Sequence, residues 1–216
     1  EGDLTAIRFD RRHEGESPPG DAARWPAVTG WTASLDERGY VSGVEEIRRR
    51  IASGTVYQVN LTTMLEAPLP DEAHLPDLAA RLETGNPAPF AAVVHVPSAG
   101  VDLVTASPER YLSRTGDRLL SSPIKGTAPT VDRMLPKDVA ENVMIVDLVR
   151  NDLQHVSEPG SIAVERLCAP EAHPGLVHLV SDVAGRLRRG GTWADVLDAS
   201  FPPGSVSGAP KSSAMT

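Results

Sequence analysis

After Asp36, Val44, Ile47 and Ile51 recur at helical spacing, with Glu45, Glu46, Arg48, Arg49 and Arg50 between them. That pattern predicts an amphipathic helix with Gly54 as its stop. Residues 56–65 alternate and are rich in β-branched types, which predicts a strand. Leu75 to Leu82 reads as a second helix. Residues 90–96 and 101–107 read as strands joined by a turn at Pro97-Ser98-Ala99-Gly100. Residues 111–114 and 118–122 form a hairpin around Thr115-Gly116-Asp117. A long helix is expected from Lys137 to Leu153, and a strand from Ile162 to Leu167. Two further helices are expected, His178 to Leu187 and Trp193 to Ser200. Phe201 to Pro210 is a Gly/Pro/Ser loop, and Lys211 opens another helix. Strands come first, joined by hairpins, and helices follow. This predicts an α+β fold with mostly antiparallel sheets flanked by helices, not a doubly wound one. Residues 1–30 read as a loop-rich segment, most clearly over Glu14 to Asp21, where Gly and Pro cluster. The last helix is cut off as it begins, so a fragment of a longer protein is expected.

Composition narrows the function classes. The 216 residues suffice for one large domain or two small ones. Lys and Arg number 21 against 29 Asp and Glu, a net charge of -8 that lacks the electrostatic footprint of a nucleic-acid or anionic-lipid binder. Aromatics are only 4%, which also argues against a base-stacking platform. The single cysteine, Cys168, excludes an intramolecular disulfide and a Cys-only zinc site, and fits a reducing compartment such as the cytoplasm. No apolar run approaches a membrane span, and the first residues do not read as a signal peptide.

Four segments carry candidate chemistry. In Ala106-Ser107-Pro108-Glu109, a carboxylate follows a strand break, where apolar surroundings would raise its pKa and suit it to acid or base work. The bland reading is a solvated turn glutamate. In Ser122-Pro123-Ile124-Lys125-Gly126-Thr127, the lysine lies between Ile and Gly, and Gly126 admits close approach of a ligand. A desolvated lysine is a nucleophile; an exposed hairpin lysine is the alternative. On the long helix, Asp138 and Glu141 lie three apart and share a face, a pair able to hold Mg²⁺ with water and substrate oxygens. The commoner case is an ordinary charged face. Phe201 to Lys211 is a Gly/Ser loop running into a helix start, with backbone N–H groups suited to a carboxylate or phosphate, though without P-loop spacing. It could equally be a plain loop. His178 lies among apolar residues, as a satisfied core histidine would. Cys168 reads as a small buried residue.

These segments, together with Ile51 to Leu61, Ala140 to Asp152 and Val177 to Ser181, occur in an order that resembles the chorismate-binding enzymes from about Trp31 to Thr216. That family includes anthranilate synthase component I, aminodeoxychorismate synthase component I, isochorismate synthase and salicylate synthase. The resemblance implies a catalytic domain over residues 31–216 that lacks its C-terminal part. Anthranilate synthases typically read Pro-Ile-Ala-Gly-Thr where this chain reads Pro123-Ile-Lys-Gly-Thr127, the form typical of aminodeoxychorismate synthases. It therefore implies amination of chorismate at C4, with ammonia from a glutamine amidotransferase, toward 4-aminobenzoate and folate. By the same resemblance Lys125 is the nucleophile and Glu109 the acid and base. Glu141, with Asp138, would hold Mg²⁺. Gly126, Thr127, His178, Ser205, Ser207 and Gly208 would contact substrate. Anthranilate synthase component I, and a non-catalytic relative that only binds chorismate or an amidotransferase, are the alternatives. No nucleic acid or membrane partner is implied.

The chain departs from the family in three ways. Ala128 stands where the family usually has Arg, with a short connection to the helix after it. Later segments that supply further Mg²⁺ carboxylates, an arginine and a Gly-rich loop are not in these residues. The usual N-terminal portion is mostly missing too. The resemblance thus implies that the 216 residues alone are weak or inactive.

Overall fold

The computed structural model describes residues 20–216; most of the expected loop at Glu14 to Asp21 lies outside them. The elements run β1 (Thr32–Ala33), α1 (Glu37–Ala52), β2 (Gln58–Val59), β3 (Leu65–Glu66), α2 (Leu75–Gly85), β4 (Phe90–Val96), β5 (Val101–Ser107), β6 (Arg110–Thr115), β7 (Arg118–Ser122), β8 (Ile124–Ala128), α3 (Pro136–Gln154), β9 (Ala163–His173), β10 (Leu176–Arg186), α4 (Trp193–Ser200), β11 (Gly208–Ala209) and α5 (Lys211–Ala214). The fold is α+β, and every ladder is antiparallel. The described backbone divides into two compact units, one that includes residues 20–31 and 67–108, the other of 32–66 and 109–216.

In the smaller unit, β4 and β5 pair in full register from Phe90↔Ser107 to Val96↔Val101, joined by a turn of 3₁₀ helix at Pro97–Ala99. The buried Asp77 of α2 accepts the Asp21 N–H at 2.8 Å.

The larger unit is built on a five-stranded sheet in which β10 is central. Along one edge β10 pairs with β9. Along its other edge lie β8 and then β7, two halves of one path broken at Pro123, a residue with no N–H for the ladder. The Pro123 carbonyl still accepts the Ser181 N–H at 3.1 Å, so the pairing continues across the break. The apolar face of α3 (Ile145, Val146, Val149, Leu153) packs with Leu119, Val183, Leu187 and Val196 into the core. At roughly 1.5–3 kcal/mol for each large buried side chain, this cluster is a main source of the unit's stability. Two helices have strong starts. The Asp36 carboxylate accepts the Gly39 N–H at 2.7 Å ahead of α1, and Thr192 and Asp195 form a reciprocal capping box at α4.

Three expectations need correction. The segment from His178 to Leu187 is not helical; it lies almost wholly within β10. Its apolar residues mimic a helical period, but consecutive residues from Leu179 to Ser181 and Val183 to Gly185 are buried. A strand covered on both faces loses the alternation that identifies strands. The expected strand at 56–65 is reduced to β2 and the first residue of β3, with irregular backbone between them. Cys168 is only partly buried, at a backbone φ of 49°, inside a strand that runs on to His173.

Candidate active site

Two of the sequence-predicted residues, Glu109 and Lys125, meet at Ser205 on the loop after α4. Glu109 precedes β6, so the strand break at Pro108 delivers a carboxylate beside Ile124 and Ser205. Burial pushes its carboxyl above the usual range; the Ser205 hydroxyl, the Ile124 backbone and the Lys125 charge only partly offset this. Lys125 is half-buried, and its Nζ donates to the Ser205 carbonyl at 2.9 Å. The same carbonyl accepts from Asn60 Nδ2 at 3.2 Å. Buried Ser205 is thus the meeting point of the acidic and the basic side chain.

The loop that presents Ser205 is fixed from both sides. Asn60 N–H donates to the Ser207 carbonyl at 2.9 Å, and β11 pairs with β2 through Gly208↔Val59. Gly208 has φ 152°, and a Cβ there would fall 2.3 Å from the Gln58 carbonyl oxygen, so the close approach of the two chains requires glycine. Ser207 Oγ turns back to the Pro203 carbonyl at 2.9 Å. Beyond the loop, Lys211 Nζ is held by Asp152 at 2.8 Å and by the Ser200 carbonyl at 3.1 Å.

Further along β8, Thr127 Oγ1 and His178 Nδ1 share a hydrogen bond of 2.8 Å across the ladder. Burial, and then the neighbouring His173 ring 4.8 Å away, lower the His178 pKa, which keeps its imidazole neutral near pH 7. Gly126 has φ 89°. A Cβ there would stand 2.9 Å from Asp138 Cβ and 3.1 Å from Leu179 Cδ1. Gly126→Ala is therefore expected to destabilise the protein by roughly 1–3 kcal/mol, read as a lower denaturant midpoint. An unchanged midpoint would show that this backbone tolerates a side chain.

Asp138 and Glu141 lie on the first two turns of α3, the former against Gly126. Asp138 Oδ2 accepts the Leu135 N–H at 2.8 Å, which leaves its other oxygen outside that cap, and Glu141 is exposed. Among the described residues no group of three or more His, Cys, Asp or Glu is placed to hold a metal. A pair of hard oxygen donors still fits Mg²⁺, which is commonly held by one or two carboxylates with water and substrate oxygens completing the shell. Two asparagines escaped the sequence reading, Asn60 and the buried Asn142. The signal for the second was present: an amide in the apolar stripe of α3, one turn before Ile145 and Val146. A cavity of about 480 Å³ in the smaller unit, lined in part by Asp21, Arg24, His74 and Asp77, contains none of these residues.

An antiparallel sheet thus presents a lysine and a desolvated glutamate at one loop, residue types able to serve as a nucleophile and as an acid or base. The chain belongs to the chorismate-binding enzymes: the family model described as chorismate binding enzyme matches residues 4–216. Anthranilate synthase component 1 1 of Haloarcula marismortui is 36% identical over 97% of this chain and 46% of its own length. Aminodeoxychorismate synthase component 1 of Klebsiella aerogenes is 38% identical over 90% of this chain and 45% of its own. The crystal structure of anthranilate synthase component I from Streptococcus pneumoniae superposes with a TM-score of 0.75 at 29% identity, covering 88% of this chain and 43% of that one. The chain thus spans less than half the length of these relatives. Among its described residues no helix is long and apolar enough to cross a membrane.

Proposed function

We propose that the protein carrying this chain aminates chorismate at C4 to give 4-amino-4-deoxychorismate, the precursor of 4-aminobenzoate and folate. The observation that carries the reading is the convergence of Lys125 and Glu109 on Ser205. The Lys125 amine attacks C2 of chorismate. The C4 hydroxyl, protonated by Glu109, departs as water with an allylic shift. Ammonia then attacks C4, the double bond shifts back, and the C2–N bond to Lys125 breaks. Glu109 takes the proton that ammonia loses. Two allylic displacements replace a direct substitution with the ring unsaturation preserved. Thr127 and His178, with the loop of Ser205, Ser207 and Gly208, bind and orient the substrate. Glu141 and the free oxygen of Asp138 would hold Mg²⁺, which when bound neutralises and orients the ring carboxylate. A glutamine amidotransferase, as a separate subunit or fused domain, supplies the ammonia.

The alternative is amination at C2, as in an anthranilate synthase; the Haloarcula marismortui relative favours it, and Lys125 counts against it. Incubation of the whole protein with chorismate, Mg²⁺ and ammonium, followed by chromatography and mass spectrometry, separates the two. The expected product is 4-amino-4-deoxychorismate. Anthranilate would overturn the C4 assignment and leave the family membership intact. Binding of chorismate without any product would favour a non-catalytic relative. The 216-residue chain run alongside is expected to show little or no turnover.

A further inference from the structure

β8 does not pair evenly with β10. His178 lies opposite Thr127 and Val180 opposite Ile124, so Leu179 alone faces both Lys125 and Gly126. Two residues against one is a β-bulge, a device that turns a side chain out of the ladder's alternation. It disrupts the ladder at the Lys125 and Leu179 carbonyls. Asn142 fills this gap. It is 1% exposed and sits on the buried face of α3. Its Nδ2 donates both hydrogens, to the Lys125 carbonyl at 3.1 Å and to the Leu179 carbonyl at 2.8 Å. Its Oδ1 accepts from the fully buried Ser181 hydroxyl, with Cys168 Sγ 3.5 Å away. The Ser181 oxygen in turn accepts the Cys168 N–H at 2.8 Å. An amide with every donor and acceptor used has one orientation, and turning it would leave buried carbonyls unpaired.

We propose that Asn142 is a positioning residue: its carboxamide pins the bulge at Lys125–Gly126 and so sets where the Lys125 amine is presented, with Ser181 locking the carboxamide. The effect is on Lys125 through its main chain, with no contact to substrate. Its consequence for turnover rests on the proposed C4 amination, but its effect on the Lys125 amine does not.

The test uses the whole protein and two readouts. The first is the rate at which a small amine-acylating reagent labels Lys125, followed by peptide mass spectrometry with Lys137 and Lys211 as internal references. Asn142→Leu, which keeps the volume and removes the donors, is expected to change Lys125 labelling at least fivefold and leave the references within twofold. Ser181→Ala is expected to shift it in the same direction by a smaller factor, and it decides the matter if the leucine variant does not fold. Unchanged Lys125 labelling in a folded Asn142→Leu variant, or in Ser181→Ala where the first does not fold, overturns the proposal. The second readout is kinetic. A fall in kcat of tenfold or more with KM within threefold supports positioning of a reacting group, whereas a rise in KM alone with kcat unchanged overturns it. Lys125→Ala is run in parallel. If that variant turns over normally, the nucleophile assignment fails, and the labelling comparison still decides whether Asn142 positions the amine.

Discussion

Replacing Lys125 with alanine is expected to lower formation of 4-amino-4-deoxychorismate by about three orders of magnitude or more, with chorismate binding largely retained. The proposed covalent route depends on one amine, and neither Glu109 nor Asn60, the other side chains at Ser205, offers another. Asn60 donates to the same carbonyl but is no nucleophile. Loss of a nucleophile removes the whole two-step path, not a fraction of it. On the proposed mechanism, what remains is a site that receives ammonia without the first displacement, for which attack at C2 is the simpler outcome. A trace of anthranilate from the variant would therefore be consistent with the mechanism. Wild-type levels of the C4 product, measured by mass spectrometry, would eliminate the covalent intermediate.

Glu109→Gln is expected to reduce turnover by about 10²–10⁴-fold with chorismate still bound, because the amide can neither protonate the leaving hydroxyl nor accept a proton from ammonia. The same substitution has a signature in stability. Burial dominates the Glu109 environment and raises its pKa in the folded state. The folded protein therefore holds this proton to higher pH than the unfolded chain does. Stability contributed by the site is present below the unfolded carboxylate value of about 4.3 and is lost as pH rises through the folded value. At pH 7 the glutamine variant should be more stable than the parent, and the gap should close as pH falls toward about 4. Denaturant midpoints at pH 7 and pH 4 measure both ends. A variant less stable at pH 7 would mean that ionised Glu109 is compensated by its neighbours.

Local chemistry made much of the fold legible. The apolar face of α3, the Thr192 start of α4 and the Gly116 turn between β6 and β7 each follow from residues close together in sequence. β10 departs from the helix its pattern predicts because its neighbours, not its own pattern, decide its state; three strands hydrogen-bond to it. The site divides in the same way. Glu109 and Lys125 stand out as a carboxylate and a lysine in unusual local settings. That Lys125 meets Ser205 depends on a contact spanning 80 residues, and Glu109 reaches the same serine from further back in the chain. The link from Asn60 to the same loop spans 145 and leaves no periodic trace. Asn142 was legible as a polar residue in an apolar stripe, but its partners on β8 and β10 were not.

The grip of Asn142 is on the carbonyl of residue 125 and not on its side chain. The bulge, the glycine after it and the helix behind it are therefore indifferent to what that side chain is. A scaffold of this kind works as a socket: one codon can exchange the reactive group while the frame that aims it stays as it was. Enzymes that share a substrate yet part company over which carbon receives the amine could diverge at such a position without refolding anything around it.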